Sequence, residues 1–331
     1  MQICTSCVLD ERYPGISYDK NGICIYCRQS KIMKLLQINK NKYEKKFLEL
    51  IDTYKGKNRY DCLVAYSGGK DSTYTLYLLQ KKYNLNILAL TYDNWFQSET
   101  AQKNIREVVK SLNISHLTFL PSFDVFKKII LLVVAGNIYS MKAMERASSI
   151  CTTCISLIRF MCFRVAIEME IPFVIFGMSP GQAPIVTSVV KTNAEMVRKT
   201  QDLLFQSLYR KLGDIIRPYF LEERHFQKTA AFPYNINPLA FSTYDDREIL
   251  DTAKSLGWVK PEDTDANSTN CLLNSLANAL HINKFGFNPY AYEIAELVRD
   301  GYMTREQGLN KLSAPTDNHI ISHVKQKLGM G

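Results

Sequence analysis

Residues 60–72 read YDCLVAYSGGKDS, and this stretch decides the fold. Its first half, Tyr60–Tyr66, is a short apolar run typical of a buried strand, and the residues from Ser72 to Lys82 have the pattern of a helix. Two adjacent glycines between them allow a tight turn that brings the backbone close to an anion. The helix that follows offers unpaired N–H groups and the positive end of its dipole. The stretch therefore predicts a phosphate-binding loop.

The side chains of this loop suit the same purpose. Ser67 and Ser72 can donate hydroxyl hydrogen bonds, and Lys70 adds positive charge. Asp71 can position a magnesium ion or cap the following helix. The spacing differs from that of a Walker loop. The candidate phosphate-binding residues are Ser67, Gly68, Gly69, Lys70, Asp71 and Ser72.

Apolar strands alternate with helices along the middle of the chain. Further strand patterns lie at residues 85–92, 116–120 and 172–177, and helix patterns at 101–112 and 155–169. Such alternation predicts an α/β fold with a doubly wound parallel sheet. Ligands bind these sheets at the carboxyl ends of the strands, where the glycine loop and Asp93 both lie.

The sequence SGGKDS between a strand and a helix resembles the loop of the PP-loop ATP pyrophosphatases. That resemblance implies ATP and Mg²⁺ as ligands, with Lys70 and Asp71 taking part in catalysis and Asp93 near the nucleotide. It also implies the reaction: a substrate oxygen attacks the α-phosphate, pyrophosphate leaves, and an adenylate forms.

Two Cys-x-x-Cys pairs stand at the N-terminus. Cys4 and Cys7 are separated from Cys24 and Cys27 by 16 residues that contain turn sequences. Four thiolates at this spacing suit a tetrahedral zinc ion. A segment of fewer than about thirty residues cannot fold on apolar burial alone, so zinc would organise it. The pattern predicts a structural zinc ribbon.

A second set of cysteines is divided along the chain. Cys151 and Cys154 precede the predicted helix 155–169, and Cys271 follows far downstream. A helix N-terminus stabilises thiolates. Three thiolates are one short for a closed zinc site, but they suit a [4Fe–4S] cluster with one open iron. Persulfide and disulfide chemistry on two of these cysteines, without a cluster, is the alternative.

A zinc ribbon, SGGKDS, a Cys-x-x-Cys pair and a late single cysteine together resemble the tRNA 2-thiouridine and 2-thiocytidine synthetases. The resemblance implies an ATP-dependent sulfurtransferase with the cluster on Cys151, Cys154 and Cys271. Its sulfur donor would be a cysteine desulfurase or sulfide. The acceptor would be a tRNA, a small molecule or a carrier-bound amide. The sequence departs from that group at 176–184, where its GHNxxDD-like motif is absent.

The N-terminus supports a rival interpretation. The run CTSCV at residues 4–8, with Pro14-Gly15-Ile16 and then Gly22-Ile23-Cys24, resembles the N-acetyl sugar amidotransferases. Those enzymes pair a zinc ribbon with a PP-loop and take ammonia from a separate glutaminase. The resemblance extends over about the first seventy residues and leaves Cys271 unexplained.

The remaining sequence predicts organisation and location. The net charge of +9 in 331 residues favours an acidic partner or a lysine-rich surface. No secretory signal is visible and the apolar run at 129–136 is too short for a bilayer, so we expect a cytoplasmic protein without a membrane span. The amphipathic stretch 289–312 predicts a packing element or a homodimer contact. The predicted segments are a zinc ribbon (1–28), a linker helix (29–57), the ATP pyrophosphatase domain (58–246) and a helical segment that completes the active site (247–331).

Overall fold

The chain forms one mixed sheet with helices on both faces. The computed structural model describes residues 1–35, 40–264, 268 and 270–330. The strands are β1 Cys62–Ala65, β2 Ile87–Tyr92, β3 Ser115–Phe119, β4 Phe173–Phe176, β5 Val189–Lys191 and β6 Tyr234–Ile236. The longer helices are α1 Ile25–Leu35, α2 Lys40–Tyr54, α3 Lys70–Lys81, α4 Glu99–Leu112, α5 Phe123–Ala135, α7 Ser149–Glu168, α8 Ala194–Leu212, α10 Asp246–Ser255, α11 Leu273–Phe285, α12 Ala291–Arg299, α13 Arg305–Ser313 and α14 Asn318–Leu328. Two single-turn helices are α6 Met141–Met144 and α9 Glu223–Phe226.

The six strands lie in the order β3-β2-β1-β4-β6-β5. All neighbouring pairs are parallel except β5 with β6. Leu63 of β1 lies in register with Leu88 of β2 on one side and Val174 of β4 on the other. From β1 the chain continues through β2 and β3 on one side, and it returns to β4 on the other side of β1. This change of direction places a crevice at the carboxyl ends of β1 and β4. The predicted doubly wound α/β fold is confirmed.

Alternating side chains of the strands supply two apolar layers. Leu63 and Val174 belong to the layer on the face covered by α5, α7 and α8. Val64 and Ile175 belong to the opposite layer, with side chains of α3, α4 and α10. Because both faces are covered, the strands read as continuous apolar runs rather than as alternating patterns.

Strands β5 and β6 were not predicted. Each has three residues, which is too short for a strand pattern to stand out in sequence. Part of the predicted linker helix, residues 36–39, lies outside the described residues, and α1 and α2 flank it.

Helix α7 begins six residues earlier than its predicted start at residue 155. Ser148 caps it, since its Oγ accepts a hydrogen bond from Cys151 N at 3.1 Å. The pair Cys151 and Cys154 therefore lies inside the first two turns rather than before the helix. Within the described chain, α7 is also long and apolar enough to cross a membrane by length and composition, and half of that window is buried in the molecule. A core helix meets the same criterion, and α7 packs on β1, β4 and α5.

The N-terminal segment packs on the C-terminal helices rather than on the sheet. Its four cysteines share a third apolar cluster with Phe287, Ala291 and Ile294. The predicted amphipathic stretch 289–312 is divided into α12 and α13, with Gly301 between them at a φ of +80°. The C-terminal helices thus connect the cysteine segment to the body of the protein.

Candidate active site and cysteine groups

The glycine loop lies between β1 and α3, as the resemblance to PP-loop enzymes implies. Gly69 precedes the first residue of α3, and Ser72 Oγ donates to Gly69 O at 3.0 Å. Ser67 Oγ lies 3.2 Å from Ser72 Oγ and accepts a hydrogen bond from Gly69 N. The two hydroxyl groups therefore line a turn at a helix N-terminus, which is suited to binding phosphate oxygens.

Gly68 allows the loop to pack closely against helix α4. Its φ is +78°, and a Cβ placed there would lie 2.9 Å from Ala101 O and 2.9 Å from a side-chain carbon of Ile105. Its own carbonyl accepts a hydrogen bond from Trp258 Nε1 at 2.8 Å. Only glycine satisfies both the backbone angle and the close approach.

Lys70 carries the positive charge of the site and is engaged by two carboxylates. Its Nζ lies 2.9 Å from Asp71 Oδ1 and 2.7 Å from Asp246 Oδ1. Burial lowers the pKa of Lys70, but Asp71, Tyr244 and Asp246 outweigh burial and raise it, so the ammonium stays charged. Tyr244 Oη also donates to Asp71 Oδ1 at 3.0 Å. The Asp71 side chain is thus an ion-pair partner, and the cap position of α3 belongs to Gly69.

The opposite wall comes from the loop after β4 and from α12. Ser179 Oγ donates to Glu293 Oε1 at 2.9 Å, and Gln182 Oε1 accepts from Ser179 N at 3.0 Å. Burial raises the pKa of the Glu293 carboxyl, hydrogen bonds from Ser179 and Gln182 lower it, and the nearby Asp71 raises it, with a net rise. The carboxyl group therefore faces the glycine loop across the crevice.

These walls enclose a cavity of 750 Å³. That volume lies within the range of small-molecule and cofactor sites. Its floor is the glycine loop, and its far side includes Tyr302 and Lys311 from the C-terminal helices. The stretch 289–312 is predicted to be a packing element or homodimer contact within the segment 247–331 that completes the active site, and its side chains line the cavity.

Cys271 lies beside the glycine loop because its segment pairs with the residues after β2. Ser98 N donates to Asn270 O at 3.0 Å, and Leu272 N donates to Phe96 O at 2.8 Å. Asn270 Nδ2 donates to Ser67 O at 3.2 Å. The residue that contacts the phosphate-binding loop therefore immediately precedes Cys271.

The three divided cysteines lie in one region through contacts with asparagine side chains, but among the described residues only the four N-terminal sulfur atoms form a group within 4.8 Å of one another. Burial raises the pKa of the Cys154 thiol, and the nearby Cys271 and Cys151 raise it further. Asn94 Nδ2 donates to Cys271 Sγ at 3.3 Å. Asn274 Nδ2 lies 3.6 Å from Cys151 Sγ and donates to Tyr290 Oη at 2.8 Å, and Tyr290 lines the cavity. The two asparagines were not identified in sequence, since nothing local distinguishes them.

Asp93 lies on the cysteine side of the site. Its Oδ1 accepts a hydrogen bond from Trp95 N at 2.8 Å, and its charge contributes to the raised pKa of Cys271, for which burial is the main cause. The cavity lining does not include it. The expectation that Asp93 lies near the nucleotide stays a prediction.

The four N-terminal cysteines form a metal-binding group. Their sulfur atoms all lie within 4.8 Å of one another, and two pairs are 3.8 Å and 3.7 Å apart. A tetrahedral ion with bonds of about 2.3 Å to sulfur places its ligands about 3.8 Å apart. Cys4 Sγ accepts hydrogen bonds from the backbone N–H groups of Ser6, Cys7 and Cys24. The donor set therefore fits a mononuclear thiophilic metal ion.

No family model matches this chain. The chain is 25% identical over 316 residues to the curated Uncharacterized protein MJ1599 of Methanocaldococcus jannaschii. The aligned region covers 94% of this chain and 93% of that protein.

Similar solved structures include a tRNA thiolase and two synthetases. The U34-tRNA thiolase NcsA from Methanococcus maripaludis with its [4Fe-4S] cluster is 18% identical, covers 100% of this chain and 99% of that one, and has a TM-score of 0.37. The NMN synthetase from Francisella tularensis is 13% identical over 88% of this chain and 97% of that one, with a TM-score of 0.38. The NH3-dependent NAD synthetase from Campylobacter jejuni is 14% identical over 88% and 94%, with a TM-score of 0.37. A tRNA thiolase and an ammonia-dependent synthetase are thus both similar to this chain, and at TM-scores below 0.5 neither decides its chemistry.

Proposed function

We propose that this chain is an ATP-dependent sulfurtransferase that activates a carbonyl oxygen of its substrate as an adenylate. The cavity at the crevice supports the first step. Ser67, Ser72 and the N-terminus of α3 supply donors for the pyrophosphate end of ATP, and Lys70 supplies charge in a partly buried site. The substrate oxygen attacks the α-phosphate, the bond to pyrophosphate breaks, and AMP is attached to the substrate.

The placement of Cys271 carries the second step. Asn270 contacts the glycine loop and Asn274 connects Cys151 to the cavity through Tyr290, so sulfur held by these cysteines would be next to the adenylate. Positioning of the two reactants side by side is a large part of catalysis in group transfer. Sulfur displaces AMP from the activated carbon, and the product is a thiocarbonyl.

Two carriers of the sulfur fit the residues. Three thiols in one region with amide donors suit an iron–sulfur cluster, held by Cys151, Cys154 and Cys271, whose open iron would supply a binding position for sulfur. Without a cluster, two of the three cysteines would carry it: one receives a persulfide from a cysteine desulfurase, its outer sulfur attacks the activated carbon as AMP leaves, and the second thiol forms a disulfide with the first as the thiocarbonyl is released. A thiol reductant would then restore the pair. Asp71 is the candidate ligand for Mg²⁺, and the four N-terminal cysteines are the candidate ligands for zinc.

The partners follow from this chemistry. The donor would be a cysteine desulfurase or sulfide, and the acceptor a tRNA, a small molecule or a carrier-bound amide. The net charge of +9 favours an acidic acceptor. We place the reaction in the cytoplasm, where thiols stay reduced.

A second candidate is transfer of ammonia to an N-acetyl sugar, with a separate glutaminase. The N-terminal segment favours it, because the run CTSCV at residues 4–8, followed by Pro14-Gly15-Ile16, resembles the N-acetyl sugar amidotransferases. In that case the activation step is unchanged and only the nucleophile differs.

The deciding experiment follows AMP and pyrophosphate production from ATP with two substrate sets: unmodified total tRNA with sulfide, and N-acetylated sugar nucleotides with ammonium. Iron, zinc and acid-labile sulfide are measured on the same anaerobic preparation. Cluster iron with tRNA-dependent AMP formation, lost in Cys271→Ser, would support sulfur transfer. Sugar-dependent AMP formation that persists in Cys271→Ser would establish the second candidate. No AMP from either set, with ATP bound, would refute tRNA as the acceptor of sulfur and N-acetylated sugar nucleotides as the acceptor of ammonia.

A further inference from the structure

Helix α12 contacts both the cavity and the N-terminal cysteine segment. Glu293 and Leu297 line the cavity, where the loop after β4 closes on them: a Cβ on Gly181 would lie 2.6 Å from Glu293 O. The helix also carries Ile294 and Ala295, which pack in one apolar cluster with the four cysteines. One helix of nine residues therefore separates the metal-binding group from the cavity.

Polar contacts tie this helix and α13 to the cysteine segment. Arg305, the first residue of α13, donates from Nε to Cys4 O and to Cys7 O, both at 3.0 Å. Arg299, the last residue of α12, lies with Nη1 3.7 Å from Cys7 Sγ. Hydrogen bonds from a charged donor are stronger than those from a neutral donor. The turn at Cys4–Cys7 therefore fixes the end of α12 and the start of α13 together.

Close packing reinforces these contacts. A Cβ on Gly308 of α13 would lie 2.8 Å from Val8 Cγ1, 3.0 Å from Ile294 Cγ2 and 3.0 Å from Val298 Cγ2. The cysteine segment, α12 and α13 thus meet at one glycine. A displacement of Val8 would be transmitted to both helices, since no space separates them.

We infer that a thiophilic metal ion on Cys4, Cys7, Cys24 and Cys27 sets the affinity of the cavity for ATP, with Arg305 as the positioning residue that transmits it. The physical reason is the dependence of so short a segment on its metal: without the ion, the Cys4–Cys7 turn loses its fixed shape. Arg305 then loses the two carbonyl groups that hold α13, and the cavity wall loosens. This inference rests on the proposed ATP site.

The test compares ATP affinity, measured by calorimetry, with amide hydrogen exchange of α12. The samples are the metal-loaded protein, the protein stripped by a chelator, and the metal-loaded variants Arg305→Gln and Arg12→Gln. Arg12 is the matched control, because it belongs to the same segment and pairs only with Asp10 in the contacts that the structure gives it. We expect at least about fivefold weaker ATP binding and faster exchange at 291–299 in the stripped protein and in Arg305→Gln. Arg12→Gln should match wild type.

Equal ATP affinity and equal exchange in stripped and loaded protein would overturn the inference. If stripping unfolds the whole chain, seen as fast exchange in β1 as well, Arg305→Gln decides, because it keeps all four metal ligands. Gly308→Ala is a second such variant, since it pushes α13 away from Val8. A loaded wild type that binds no ATP would refute the proposed function instead, and the exchange of α12 would still show whether the metal fixes the helix.

Discussion

The two cysteine groups of this chain differ in how they are made. Cys4, Cys7, Cys24 and Cys27 come from one short segment, and all four sulfur atoms lie within 4.8 Å of one another. Cys151, Cys154 and Cys271 come from a helix and from a strand-like segment that pairs with the residues after β2. The first group is a closed ligand set packed on the C-terminal helices. The second lies beside a cavity and is bounded by the amides of Asn94 and Asn274.

This difference suggests a division between a structural role for the first group and a chemical role for the second. Four mutually close thiolates leave no position for a substrate, so the first group is suited to structure. The second group offers three thiols and neighbours the glycine loop through Asn270, so it is suited to chemistry. The predictions below test that division, beginning with the largest expected effect.

Single replacements should separate the two groups completely. Cys271→Ser should lose all cluster iron or persulfide while it retains one zinc per chain, and Cys7→Ser should lose the zinc, because each removes a ligand from one group only. Metal analysis and sulfide determination after anaerobic purification measure both.

The matched control is Cys162→Ala, a fully buried thiol in the same helix as Cys154. It should keep both metals. Loss of zinc in Cys271→Ser, or of iron in Cys162→Ala, would contradict the division.

Gly68→Ala should destabilise the protein by about 2–5 kcal/mol, since the positive φ costs about 1–2 kcal/mol and the clash with Ala101 O and Ile105 about 1–3 kcal/mol. Urea unfolding gives the change in free energy. Gly286→Ala is the control: its φ of +82° and ψ of −3° are left-handed and nothing lies within 4 Å of the added Cβ, so it should show the backbone cost alone. Equal losses of unfolding free energy in both variants would show that the loop accommodates the added methyl group without displacing α4.

Asp246→Asn should tighten ATP binding about two- to fivefold at low salt. Asp246 pairs with Lys70 at 2.7 Å and is largely exposed, so its removal frees the ammonium for phosphate at a modest gain. Calorimetry at two salt concentrations measures the effect, which should shrink at high salt. Asp251→Asn, an exposed change on the same helix, should leave affinity unaltered; weaker binding in Asp246→Asn would mean that this carboxylate contacts ATP or its metal.

The smallest effect concerns pH and Glu293. Its pKa is raised in the folded chain, so its stabilising contribution is present at low pH and is lost as the pH rises through the folded pKa. Glu293→Gln should therefore melt a few degrees above wild type at pH 8 and at nearly the same temperature at pH 4. Thermal unfolding measures this, with exposed Glu306→Gln as the control. A larger gap at pH 4 than at pH 8 would reverse the assigned sign.

Local patterns in the sequence were enough for the parts of this protein whose geometry is local. The strand, glycine turn and helix at 60–82 follow from apolar runs and from backbone freedom at Gly68 and Gly69. The Cys-x-x-Cys spacing determined the N-terminal group, because a knuckle needs only its own few residues to bring two thiolates together. The central strands and the doubly wound order follow from alternation of apolar runs with helices.

Only the tertiary structure decided the rest. Helix α7 starts at Ser149 because Ser148 caps it, and a cap is hard to distinguish from other serines in sequence. The contacts of Asn94 and Asn274 with the divided cysteines, and those of Tyr244 and Glu293 in the cavity wall, join residues more than 100 positions apart. The phosphate loop, the sheet and the closed cysteine group thus follow from local sequence patterns, whereas long-range packing brings the carboxyl groups to the cavity and the divided cysteines beside it.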